Sequence, residues 1–141
     1  LTEDCNLRCT YCFVKKTPRT MSLATARKAV DFYLHREVSG NLRRLDLTSF
    51  GGEPFMATDV MEEVIRHAAQ VGGQTGKTVK FSATTNATIA NSKVEHLVRS
   101  TGMGLLVSID GGEASMAARP YLGGGSPWKA VTRNLARLLE W

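Results

Sequence analysis

The chain has 141 residues, 43% of them hydrophobic and 22% charged, the proportions of one globular domain. No apolar run reaches the roughly 20 residues that a membrane-spanning helix needs, and coiled coil, collagen and disorder are excluded with it. Lys plus Arg number 18 against 13 Asp plus Glu, a net charge of +5 that suits acidic partners, but the bases are not interleaved with aromatics as a nucleic-acid surface would require.

In chain order, Leu1 to Asp4 leaves no room for a strand before a cysteine motif, and the sequence ends within a helical pattern at Leu138 to Trp141. Both ends read as those of a piece of a longer chain. A first helix is expected from about Ser22, its N-cap, to Val38, with Leu23, Ala26, Val30 and Leu34 on one face and Gly40–Asn41 as the stop. Leu45 to Phe50 alternates as a strand. A second helix runs from Asp59, with Glu62 completing an acidic capping box, to Val71, with Gly72 as its stop. Val79 to Thr85 is the next strand. Ser92 and Glu95 open a third helix that Gly102 closes, and Gly104 to Asp110 is a third strand. Ser126 and Pro127 open a fourth helix carrying Val131, Leu135 and Leu138.

Alternating helix and strand with short connections implies parallel strands and right-handed crossovers. The fold class is α/β, either part of a βα barrel or an open doubly wound sheet, with about four βα units once a strand ahead of Cys5 is counted. Each strand leads into a polar or glycine-bearing loop: Gly51-Gly52-Glu53-Pro54, Thr85-Asn86, and Ser108-Ile109-Asp110-Gly111. Such C-terminal strand ends are where parallel-sheet proteins place ligands.

All three cysteines lie within eight residues, as Cys5-x-x-x-Cys9-x-x-Cys12. An odd, clustered set is a poor disulfide framework and fits thiolate metal ligands in a reducing, cytoplasmic setting. A structural zinc would want a fourth ligand, available only from His35, His67 or His96 on predicted helices. A Cys9-x-x-Cys12 redox pair would leave Cys5 surplus. Three thiolates on a four-iron cluster fit best and leave one iron without a protein thiolate. A non-catalytic iron–sulfur carrier or sensor is the alternative.

Cys5-Asn6-Leu7-Arg8-Cys9-Thr10-Tyr11-Cys12 resembles the signature of the radical S-adenosylmethionine enzymes, including the aromatic before the last cysteine. The three strand-end loops resemble that family's segments in the same order, with Ala87 where Thr-Asn is usually followed by glycine. The resemblance covers essentially the whole chain, as the N-terminal portion of the radical core domain, and it implies a partial (β/α) barrel. It also implies a [4Fe-4S] cluster on Cys5, Cys9 and Cys12, and reductive cleavage of S-adenosylmethionine to a 5′-deoxyadenosyl radical.

By the same resemblance Tyr11 would contact adenine. Gly51 and Gly52 would let backbone approach the methionine ammonium, with Glu53 and nearby carbonyls as its acceptors and Pro54 fixing the turn. Thr85 and Asn86 would bond ribose or carboxylate, Ser108 and Asp110 the ribose side, and Arg119 the carboxylate. The Ala117–Ala118 stretch departs from the family's usual His-Asp. The loops are most similar to the peptide- and protein-modifying subgroup, which implies a peptide or protein substrate. An acidic electron donor such as a flavodoxin would suit the basic charge.

Overall fold

The computed structural model describes residues 1–35 and 42–141. Helix α1 (Leu23–His35) leads to strand β1 (Arg44–Ser49), and a 3-10 turn at Pro54–Ala57 runs directly into α2 (Thr58–Thr75). Then come β2 (Thr78–Thr85), α3 (Ser92–Thr101), β3 (Gly104–Val107), a 3-10 turn at Ser115–Ala118, and α4 (Trp128–Leu138). The three strands form one parallel sheet in the order β1-β2-β3, with Leu45 beside Val79 and Ala83 beside Leu105. This is the α/β alternation expected, and it has the layout of part of a barrel. Among the described residues no helix is long and apolar enough to cross a membrane.

The helices form because each buries one stripe. Val30 and Leu34 of α1 meet Ala68 and Val71 of α2 over Leu45 of β1. On the same face of the sheet, toward β3, Met61 and Ala83 pack with Val94, Leu97 and Val98 of α3. A smaller cluster joins Ala87, Met116, Val131 and Leu138 beneath α4.

Several boundaries differ from the expectations. The anticipated end of the first helix at Val38, with its Gly40–Asn41 stop, lies outside the described residues. Gly72 does not end α2: it is buried inside the helix, where a Cβ would fall 2.7 Å from the Lys77 carbonyl oxygen. The stop is Gly76, at φ 67°. Asp59 sits within the first turn of α2 rather than ahead of it, because the preceding 3-10 turn supplies the helix start, and its carboxylate pairs with Lys93.

Asn91, not Ser92, caps α3, accepting from Val94 N at 3.0 Å. Ser22 caps α1 as expected, accepting from Thr25 N at 3.1 Å, and Ser126 accepts from Trp128 N at 3.3 Å. Strand β3 stops at Val107, so Ser108 to Asp110 are loop. Ser108 N still donates to Thr85 O, at 2.9 Å, which keeps that loop against the end of β2.

Candidate functional site

The turn after β1 exists to accept the N-terminal segment. Gly52 N donates to Thr2 O at 2.7 Å and Glu53 N to Asp4 O at 2.8 Å. A Cβ on Gly51, which has φ 148°, would fall 2.3 Å from Thr2 O, and one on Gly52 would fall 1.9 Å from Asp4 O. The glycines therefore admit residues 2–4 of the chain itself, a use that their motif does not reveal. That contact delivers Cys5 to the end of the sheet.

The cysteine loop is held from its other side by a segment more than a hundred residues away. Arg8 N donates to Pro120 O at 2.7 Å, Thr10 N to Ala118 O at 2.9 Å, and Leu122 N to Asn6 O at 2.9 Å. Leu7, fully buried, pairs antiparallel with Tyr121.

Glu53 joins two strand-end loops. It has 0% exposure, and its Oε1 accepts from Thr85 Oγ1 at 2.8 Å and Phe55 N at 3.2 Å, while Oε2 accepts from Asn86 N at 2.7 Å. Burial pushes its pKa up, against the pull of these donors. The carboxylate is so engaged, and it is not among the side chains that line the cavity described below.

Asn86 in turn donates from Nδ2 to Asn6 Oδ1 at 3.0 Å and lies 3.7 Å from Cys5 Sγ. Its Oδ1 accepts from Thr88 N and Thr88 Oγ1, and Asn6 Nδ2 donates to Thr88 Oγ1 at 2.7 Å. Buried Asn134 of α4 donates to the carbonyls of Ala87 and Thr88, fixing that turn from below. Sequence reasoning missed Asn6, Thr88 and Asn134, since nothing in their local pattern marks them. At Ala87 φ is 58°, the left-handed region, which explains why glycine is the expected residue there.

A third set crosses the motif. Tyr11 donates its hydroxyl to Asp110 Oδ2, and Arg119 Nη1 donates to Asp110 Oδ1 at 2.9 Å. Although the Tyr11 ring is exposed, partial burial of its hydroxyl and the bond to Asp110 push the phenol up to about 12. Arg119 is 6% exposed, and its Nε is a buried donor without a partner among the described residues. A buried guanidinium with a spare N–H is suited to a carboxylate.

These pieces enclose a cavity of about 250 Å³. Cys5, Cys9 and Cys12 line it, as do Tyr11, Gly51, Gly52, Thr85, Asn86, Ser108 and Arg119. Glu53 and Pro54 are buried behind the wall, and the exposed Asp110 lies outside the lining. Lys16, which sequence reasoning passed over, also lines it and places Nζ 2.6 Å from Cys12 Sγ.

All three cysteines are free thiols; Cys5 is buried and the others partly so. Burial raises the Cys5 thiol. At Cys12 burial acts the same way, but Lys16, the Val14 backbone N–H and Arg119 together outweigh it and the thiol is lowered. Among the described residues no three His, Cys, Asp or Glu side chains converge tightly enough for a single ion. A multi-iron cluster asks for something else, because each thiolate meets a different iron and the sulfurs stay apart. His35 and His67 do not line the cavity: both contact Asp31 of α1.

The Radical SAM superfamily profile matches residues 1–140. The chain is 29% identical over 125 residues to an uncharacterized protein of Methanocaldococcus jannaschii, covering 88% of this chain and 41% of that one. It is 29% identical to the serine-type anaerobic sulfatase-maturating enzyme of Klebsiella aerogenes (93% of this chain, 33% of the relative). It is 31% identical to the GTP 3′,8-cyclase of Rhodococcus opacus (84% and 33%). The solved structure of native anSMEcpe with bound AdoMet superposes with a TM-score of 0.85 at 20% identity, over 99% of this chain and 38% of that one, a likeness of fold. The chain thus spans about two fifths or less of each of these relatives. With three cysteines and three strand-end loops gathered on one cavity, and the profile matched nearly end to end, the chain belongs to the radical SAM superfamily, whose cofactors are a [4Fe-4S] cluster and S-adenosylmethionine.

Proposed function

We propose that these residues are the N-terminal portion of the core domain of a cytoplasmic radical enzyme that modifies a peptide or protein. The carrying observation is the cavity itself, where three free thiols share a wall with Arg119 and the ends of all three strands. Cys5, Cys9 and Cys12 would hold the cluster. Arg119 would take the methionine carboxylate of S-adenosylmethionine, its orphaned Nε and its anchorage on Asp110 both suiting that task. When bound, the reduced cluster supplies the electron that cleaves S-adenosylmethionine, and the protein orients and shields the fragments.

The remaining residues work by positioning. Tyr11, tethered to Asp110, offers a flat surface beside the last cysteine for adenine. Thr85, Asn86 and Ser108 present polar groups at the rim for ribose or carboxylate. Glu53 and Pro54 act behind the wall, shaping the Gly51–Gly52 turn, whose backbone is left to meet the ammonium. The peptide or protein substrate is supported by the sulfatase-maturating relative. The net charge of +5 suits an acidic electron donor such as a flavodoxin.

The test is anaerobic reconstitution of the full-length protein with iron and sulfide, then reduction in the presence of S-adenosylmethionine. 5′-Deoxyadenosine is expected. Its absence from protein with an intact cluster overturns the enzymatic reading in favour of a carrier. Deuterium transfer into that product from a labelled peptide, and not from labelled GTP, is expected for the substrate class; the opposite result replaces it with a nucleotide.

A further inference from the structure

Among the described residues, Lys16 is the cation that touches a sulfur of the motif. The segment from Cys12 to Lys16 is not helical, yet it turns back on itself so that Nζ lies 2.6 Å from Cys12 Sγ while Lys15 points to solvent. Lys16 is partly buried and lines the cavity. The other cation near Cys12, Arg119, is already tied to Asp110 at 2.9 Å. Glu3, the acid on the adjoining segment, is engaged by Thr17 and Arg19 instead. The ammonium charge is therefore directed at the sulfur.

We propose that Lys16 sets the reduction potential of the cluster by donating a charge-assisted hydrogen bond to the Cys12 thiolate. This rests on the cluster-binding reading above and adds to it a residue with no part in the three-cysteine motif. The physical basis is direct. Reduction adds one electron to the cluster and no proton, taking its core from 2+ to 1+ with the electron drawn from the external donor. A fixed positive charge beside a ligand sulfur stabilises the more negative state, and hydrogen bonds to sulfur act in the same direction. Partial burial strengthens the effect, because a charge shielded from water is screened less. Lys16 thus makes the cluster easier to reduce by a weak physiological donor.

The measurement is a redox titration of the reconstituted full-length protein, followed by the electron paramagnetic resonance signal of the reduced cluster. In Lys16→Met the ratio of reduced to oxidised cluster at a fixed potential is expected to fall about tenfold, equivalent to 59 mV for one electron. Lys16→Arg, which keeps the charge, is expected to stay close to wild type. Should Lys16→Met retain no iron, Lys16→Gln, which keeps an N–H donor without the charge, carries the same measurement with a decrease expected. An unchanged ratio in the neutral variant overturns the proposal, as does a change confined to S-adenosylmethionine affinity, which would make Lys16 a ligand of the carboxylate. Failure of the wild-type protein to assemble a four-iron cluster is a different outcome and removes the underlying reading instead.

Discussion

The Glu53 carboxylate and the Asn86 backbone nitrogen meet at 2.7 Å in a buried contact that binds the loop after β1 to the loop after β2. Thr85 and Phe55 donate to the same carboxylate. Glu53→Ala leaves three donors orphaned and is expected to cost roughly 3 kcal/mol or more, since each buried unsatisfied group costs about 1–3 kcal/mol. Glu53→Gln keeps the shape but turns an NH₂ against a donor, and about 1–3 kcal/mol is expected. Denaturant midpoints for the two variants check both figures, and equal stability with wild type would refute the stapling role.

Gly52→Ala drives a methyl into the Asp4 backbone, which has no flexible end to yield. A loss of at least about 2 kcal/mol is expected from such overpacking, together with poor iron retention, because residues 2–4 deliver Cys5. Gly73→Ala is the control. That glycine lies exposed within α2 with nothing within 4 Å of a new Cβ, so a gain of about 0.8–1.0 kcal/mol from helix propensity is expected. Thermal melts of the pair, with iron analysis, decide the matter.

Ala87 balances two effects. Its left-handed φ of 58° costs about 1–2 kcal/mol for a non-glycine residue, while its fully buried methyl returns about 0.8 kcal/mol. Ala87→Gly is accordingly expected to lie within about 1 kcal/mol of wild type once the looser unfolded chain is counted. Ala87→Val, β-branched in the same conformation, is expected to lose at least about 2 kcal/mol. Urea denaturation of both variants tests the balance.

Glu63 links α1 to α2. It accepts from Arg27 Nε at 2.5 Å and from Arg66 Nη2 at 2.7 Å, which lower its carboxyl to about 2. A folded value below the unfolded one means that the stabilisation is complete above about pH 4.3. It drains away as pH falls through about 2. Carbon-detected NMR titration of Glu63 should give that low midpoint. In Glu63→Gln the corresponding part of the acid sensitivity of folding should vanish, and a midpoint near the ordinary glutamate value would contradict the ion-pair account.

The strands, the helical stripes and the cysteine spacing were legible because each is written in consecutive residues, as in the alternation from Leu45 or the buried face Val94–Leu97–Val98. Helix ends were less so. Gly72 and Gly76 look alike in sequence, and only the nearness of the Lys77 carbonyl makes the first a packing glycine and the second a stop. Within the site, residue types were readable but their partners were not. That Glu53 faces Thr85 and Asn86, that Asn6 meets Thr88, and that Arg119 rests on Asp110 depend on chain separations from 9 to 82 residues. Lys16 escaped notice because its meaning lies in a turn of irregular backbone.

The pairing of residues 6–10 with 118–122 has a bearing on chronology. When the three cysteines have left the ribosome, only one bank of their groove is free to fold; the opposite bank follows once Leu122 has emerged. The groove that carries Cys5, Cys9 and Cys12 is closed only when residues 118–122 dock against it, so its assembly follows the synthesis of both segments.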